Sequence, residues 1–131
     1  MAVDDSAKRN AIRATVQSYV DAVGATDPDA VLALYAPDAT VEDPVGTEPH
    51  RGRDDIADFY AKSAGYRNES ELLDCRISGD SAAFRFRITT TLPERTVEVT
   101  PIDVMTFDDD ARITSMRAFW HTSDYRVVRP R

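Results

Sequence analysis

The feature that most constrains this chain is a change of hydrophobic period partway along it. Up to Ala64 the apolar residues recur mostly at helical spacing, interrupted by one short strand, and from Leu72 onward they alternate one by one. Helices first, then strands joined by short turns, predict an α+β fold. Short turns also favour antiparallel neighbours, because a parallel return needs a long crossover. A curved, mostly antiparallel sheet wrapped around three N-terminal helices would leave a pocket between the two. At 131 residues the chain is expected to be one domain spanning 1–131.

The first helix is expected from Asp5 to Gly24, with Ile12, Val16, Tyr19, Val20 and Val23 on one stripe. Tyr19 therefore faces the core, where its hydroxyl needs a partner. Taken by itself it reads as a structural tyrosine. Asp27 and Pro28 suit the N-cap and first position of a second helix. Its apolar side is Val31, Leu32, Leu34 and Tyr35, and Pro37 ends it. A third helix is expected over Asp54 to Ala64, with acids in its first turn, followed by a polar connection from Tyr66 to Ser70. Strands are then expected at Leu72 to Ile77, Ala82 to Thr89, Arg95 to Phe107 and Arg112 to Trp120. The ends, 1–6 and 122–131, read as loosely held.

Ala39-Thr40-Val41-Glu42-Asp43-Pro44-Val45-Gly46 reads as a short strand entering a stiff turn. Val41 and Asp43 share a face by parity. Pro44 fixes its own φ and holds Asp43 extended, and Gly46 permits the change of direction. A carboxylate so placed suits a positioned base. The long strand carries a second acid. Its odd positions are Val97, Val99, Pro101, Asp103, Met105 and Phe107, so Asp103 sits in the middle of the apolar face. No Lys or Arg shares that face. Desolvation should keep Asp103 protonated and make it a hydrogen-bond donor. An inward acid bonded to backbone amides remains an alternative on this strand taken singly. Together, Asp43 can accept a proton while Tyr19 and Asp103 donate hydrogen bonds to a developing oxyanion.

Lys and Arg number 16 against 23 Asp and Glu, a net charge of −7. That opposes a nucleic-acid partner or an anionic membrane surface. No stretch reaches the length of a membrane span, and the polar N-terminus has no apolar leader, so a soluble cytoplasmic protein is expected. Cys75, the single cysteine, reads as a small packing residue. His50 and His121 read as surface histidines without an identifiable carboxylate partner, and neither a metal nor another cofactor is expected.

The block from Ala39 to Gly46, with Val16-Gln17-Ser18-Tyr19 upstream and Pro101-Ile102-Asp103 downstream, resembles the bacterial Δ5-3-ketosteroid isomerases. Gly52-Arg53, Phe59-Tyr60 and Ser115 to Trp120 extend the likeness over most of residues 12 to 120. The resemblance implies a cone-shaped nuclear-transport-factor-2-like fold, usually a homodimer. It implies a steroid-like substrate whose double bond moves into conjugation by proton transfer. It assigns Asp43 as base and Tyr19 with protonated Asp103 as oxyanion donors, a division of labour between two acids that belongs to that family. Tyr35 and Tyr60 match tyrosines that support the oxyanion tyrosine. Phe59, Phe86, Val99, Met116, Ala118 and Trp120 match pocket positions, although each by itself reads as core. Residues 65–70 are more polar than the rim of a steroid pocket would suggest, so a polyketide or other cyclic ketone could meet the same base. A non-catalytic binding module, or a cyclase or dehydratase, stays open on the same fold.

Overall fold

The first helix, α1 (Ser6–Gly24), lays Ile12, Val16, Tyr19 and Val20 into the core, as its stripe dictates. The structure is a computed structural model that describes residues 6–130, so Asp5 lies outside the described residues. Gly24 does more than end this helix. A Cβ there would collide with the side chain of Ser70, whose hydroxyl donates to the Val20 carbonyl at 2.6 Å.

The second helix, α2 (Pro28–Leu32), opens as expected: the Asp27 carboxylate accepts from the Ala30 amide at 3.1 Å, with Pro28 in the first turn. It closes sooner. Tyr35 and Pro37 belong instead to the first strand, β1 (Tyr35–Glu42). Pro37 is tolerated because the pairing is irregular between Tyr35 and Thr40, so no ladder bond is demanded of it. Residues 46–52 also differ from a plain loop. His50–Arg51 forms a two-residue strand, β2, paired antiparallel with β1. The third helix, α3 (Gly52–Ala61), starts and stops earlier than its apolar spacing suggests. Asp55 draws it back by accepting from the Arg51 amide at 2.9 Å.

The polar connection expected at 66–70 is part of a strand. β3 (Arg67–Ser78) pairs along its length with β4 (Ser81–Thr91), and that ladder satisfies the backbone whatever the side chains are. A register shift between Leu72 and Asp74 flips parity. Asn68, Ser70 and Leu72 are the less exposed positions before it, Cys75 and Ile77 after it.

The expected long strand is two: β5 (Arg95–Val99) and β6 (Ile102–Phe107). The gap falls at Pro101, which has no amide to give. Its carbonyl still accepts from the Phe86 amide at 3.4 Å. Arg85 opposite Ile102 and Ile88 opposite Val99 keep one register across the gap, so the odd face stays inward on both sides. β7 (Ile113–Phe119) follows, then a single 3₁₀ turn (Thr122–Asp124) and β8 (Arg126–Pro130). The C-terminal segment is therefore not loose up to Pro130: β8 pairs with β5, and Arg126 bonds Glu98 at 2.8 Å. Arg131 lies outside the described residues.

Among the described residues the sheet order is β2-β1-β7-β6-β4-β5-β8, with β3 on the other side of β4. β1 and β7 are parallel and every other pair antiparallel. α1 packs on β3 and β4, and α3 packs on β1. The space left between helices and sheet is the cavity.

Candidate active site

Each candidate catalytic residue reaches the cavity from a different element. Tyr19 comes from α1, Asp43 from the end of β1, and Asp103 from β6, where it lies between Phe84 of β4 and Ala118 of β7. All three line one cavity of about 590 Å³, within the range of ordinary small-molecule sites. Phe59, Tyr60, Phe86, Val99, Ala118 and Trp120 line it too. Met116, expected among the contacts, is not in the lining. It pairs with Val41 and Met105 and is buried in the core.

The turn that holds Asp43 is tied at several points. The Asp43–Pro44 peptide is cis, and Gly46 has φ +102°, a conformation that disfavours a side chain. The Val45 amide donates to the Ala118 carbonyl at 2.8 Å, and the Gly46 amide to Glu42 at 3.0 Å. Arg117 in turn holds Glu42 at 3.1 Å. The Asp43 carboxylate itself accepts one side-chain bond, from Trp120 Nε1–H at 2.6 Å. Burial pushes its pKa above the ordinary value, opposed by that indole donor and then by His50. The result suits a base: ionisable, but more basic than a surface aspartate.

Asp103 is in the opposite condition. It is 1% exposed, and its Oδ1 is the one buried side-chain polar atom without a hydrogen-bond partner among the described residues. Burial raises its pKa well above the usual carboxylate range, and the Asp43 charge adds to this. A protonated carboxyl is what such a site favours, and the backbone-amide alternative is not what is found.

Tyr19 ends a chain of phenols. Tyr35 and Tyr60 share a hydrogen bond of 2.7 Å, and Tyr60 and Tyr19 one of 3.1 Å. Burial raises the pKa of all three well above the ordinary phenol value. For Tyr19, the Tyr60 hydrogen bond acts the other way, favouring negative charge on its oxygen. Tyr35 is not among the lining residues, and its hydroxyl bonds Tyr60, which is. The Tyr19 ring is fixed by edge contacts with Phe84 and Phe86, both at 6.1 Å.

Sequence reasoning missed three features. From the sequence Trp120 reads as an apolar wall, and its N–H donor role depends on a partner 77 residues away. His50 does have a carboxylate partner: its Nδ1 is 3.2 Å from Asp55, and its ring lies on Phe59 with centroids 4.6 Å apart. The spacing of five across a strand-to-helix junction was the available signal. Tyr125, in the segment read as loose, lines the cavity and packs edge-on against Trp120 at 5.7 Å. His121 and Asp124 form a reciprocal cap on the turn just before it. Among the described residues no cluster of three or more His, Cys, Asp or Glu converges as metal ligands would, and no helix is long and apolar enough to cross a membrane.

Residues 16–116 match the model of the SnoaL-like domain. The chain belongs to the SnoaL-like family. One relative is a steroid Delta-isomerase of Nocardioides simplex, 52% identical over 117 residues, covering 89% of this chain and 95% of that protein. Another is the epoxide hydrolase LasB of Streptomyces lasalocidi, 30% identical over 112 residues, where the match covers 81% of this chain and 40% of LasB. Among solved structures, the epoxide hydrolase/cyclase-like enzyme SalBIII, associated with pyran ring formation in salinomycin, superposes with a TM-score of 0.83 at 26% identity, covering 91% of this chain and 97% of that one. RV0760c of Mycobacterium tuberculosis gives 0.81 at 23% identity, covering 89% and 96%, and shares the fold.

Proposed function

We propose that this chain is a steroid Δ-isomerase that converts a 3-oxo-Δ5-steroid into its conjugated Δ4 isomer by moving one proton. The observation that carries the reading is a pair of acids in one cavity held in different ways, Asp43 by the Trp120 indole N–H and Asp103 fully buried with an unpartnered Oδ1. Asp43, ionised, takes the proton from C4. The C4–H electrons form a dienolate, whose oxygen accepts hydrogen bonds from Tyr19 and from protonated Asp103. Asp43 then returns the same proton to C6, so no atom is gained or lost. A ketone's C–H is far less acidic than a carboxylic acid, so stabilising the dienolate oxygen is the larger part of the work. The likeness to the Nocardioides simplex isomerase over nearly its whole length supports this assignment.

Trp120 holds the Asp43 carboxylate by one oxygen. Tyr35 and Tyr60 strengthen Tyr19 as a donor through the phenol chain. Phe59, Phe86, Val99 and Ala118 pack against the fused rings. No metal or other cofactor is called for by this chemistry. We also read the enzyme as a cytoplasmic homodimer. Ile102 and Phe119, opposite each other on the outer sheet face and 47% and 43% exposed, are apolar surface for a second copy to cover.

The test is conversion of 5-androstene-3,17-dione, followed by ultraviolet absorbance of the conjugated enone. Asp43→Asn should lower kcat by about 10²-fold or more, as loss of a positioned base does. Tyr19→Phe should lower it by about 10²- to 10³-fold, as loss of an oxyanion donor does. Wild-type rates in either variant would end the assignment. The likeness to LasB and SalBIII favours one second reading, epoxide opening with Asp43 activating a hydroxyl and Asp103 protonating the epoxide oxygen. Turnover of a hydroxy-epoxide without enone formation would select it.

A further inference from the structure

The inward face of β4 changes character along its length. Phe84 and Phe86 are buried, Ile88 is half-buried, and the next inward residue is Thr90. Phe86, Ile88 and Thr90 follow one another along the cavity lining. Directly across the ladder from Thr90 is Asn68, which also lines the cavity. The Thr90 hydroxyl donates to Asn68 Oδ1 at 2.7 Å. That bond fixes the carboxamide by its oxygen. The amide N–H₂ has no partner among the described residues, so two donors remain at the cavity's remote end.

The spacing fits a rigid ligand. Asp103 lies opposite Phe84, and the Tyr19 ring abuts Phe84 and Phe86, so the oxyanion donors stand at that level of β4. From the level of Phe84 and Phe86 to Thr90 is four to six residues, or about 13–20 Å of strand at roughly 3.3 Å per residue, a span that must also hold a hydrogen bond of about 2.9 Å at each end of the ligand. The span from the 3-oxygen to a 17-oxygen of a four-ring steroid is roughly 11 Å from ordinary bond lengths. A ligand with its 3-oxygen at Tyr19 and Asp103 therefore brings its far ring to Asn68.

We propose that Asn68, held by Thr90, is a specificity-determining residue that donates a hydrogen bond to a ketone oxygen on the far ring of the substrate. The favoured substrates are thus 3-oxo steroids carrying a carbonyl at the remote end, rather than those ending in hydrocarbon. This rests on the proposed isomerase reading and narrows its substrate class. The pair does more than tie two strands together, because both residues line the cavity and the carboxamide N–H₂ is left without a partner among the described residues.

The test is equilibrium binding of two phenolic steroids that differ only at the far ring, one with a 17-oxo group and one with a methylene there. Wild-type protein should bind the ketone about 5- to 10-fold more tightly, the worth of one neutral hydrogen bond. In Asn68→Leu the ratio of the two dissociation constants should fall to near one. In Thr90→Val, which frees the carboxamide to turn, it should fall part of the way. Far-ultraviolet circular dichroism checks that each variant is folded. A ratio near one in the wild type, or a ratio unchanged in both variants, would overturn the inference. Failure of the wild type to bind either phenol would instead sink the isomerase reading, so the two failures are distinguishable.

Discussion

Replacing Trp120 with Phe tests how the base is held. The substitution keeps an aromatic ring against Tyr125 and in the cavity wall, but removes the single side-chain donor to Asp43, a bond of 2.6 Å. Hydrogen bonds to a charged group contribute about 1.5–3 kcal/mol. At 1.36 kcal/mol per pH unit, their loss should carry the acid limb of the kcat/KM profile upward by about one to two pH units. The sign follows from the physics of the site. Burial already raises the Asp43 pKa, and the indole opposes burial by favouring the ionised form. Without it the ionised base is disfavoured further, and the active form appears only at higher pH. The assay is enone formation at low substrate concentration across the acid range, with wild type and variant in the same buffers. The activity deficit should be largest at low pH and narrow as pH rises. An acid limb that does not move, or moves down, would refute the reasoning. It would mean that Trp120 only fills space or that Asp43 is not the titrating group.

Two further predictions concern stability and assembly. Asp103 has a folded pKa raised well above 3.8, so its own contribution to wild-type stability should be greatest below about pH 4 and decline as pH rises toward the folded value. Asp103→Asn removes that decline. Its melting temperature relative to wild type should therefore increase from pH 4 to pH 7 in scanning calorimetry, and a difference independent of pH would contradict a protonated Asp103. Sedimentation should find a dimer, and Ile102→Glu or Phe119→Glu should shift it toward monomer without unfolding the chain. A monomeric wild type at micromolar concentration would rule out the assembly.

Parity made the two acids legible before any coordinates. Asp103 could be placed inward because alternation on an extended chain survives the interruption at Pro101, where the register stays continuous. Asp43 could be placed because Pro44 and Gly46 restrict the backbone locally. Tyr19 followed from a helical stripe. What the residues did not disclose were relations set by the ladder. The strand from Arg67 looks like a polar loop because its pairing is made by the backbone, and the shift at Leu72 to Asp74 erases a single alternation. The Trp120 to Asp43 bond joins the end of β7 to the end of β1, which are brought side by side by parallel pairing. Pro37, a sound stop signal for a helix, instead lies in an unpaired stretch of strand. The Asn68–Thr90 pair, polar on both strands of one long hairpin, has meaning only once the two strands are seen to face one cavity.

The most direct test of the central claim is a crystal structure with a bound phenolic steroid, whose ring oxygen stands in for the dienolate oxygen. The account predicts that oxygen within hydrogen-bond distance of both the Tyr19 hydroxyl and the Asp103 carboxyl, with the Asp43 carboxylate over the face of the adjoining ring. A phenol oxygen bonded to neither Tyr19 nor Asp103, or a ring system lying away from Asp43, would contradict it.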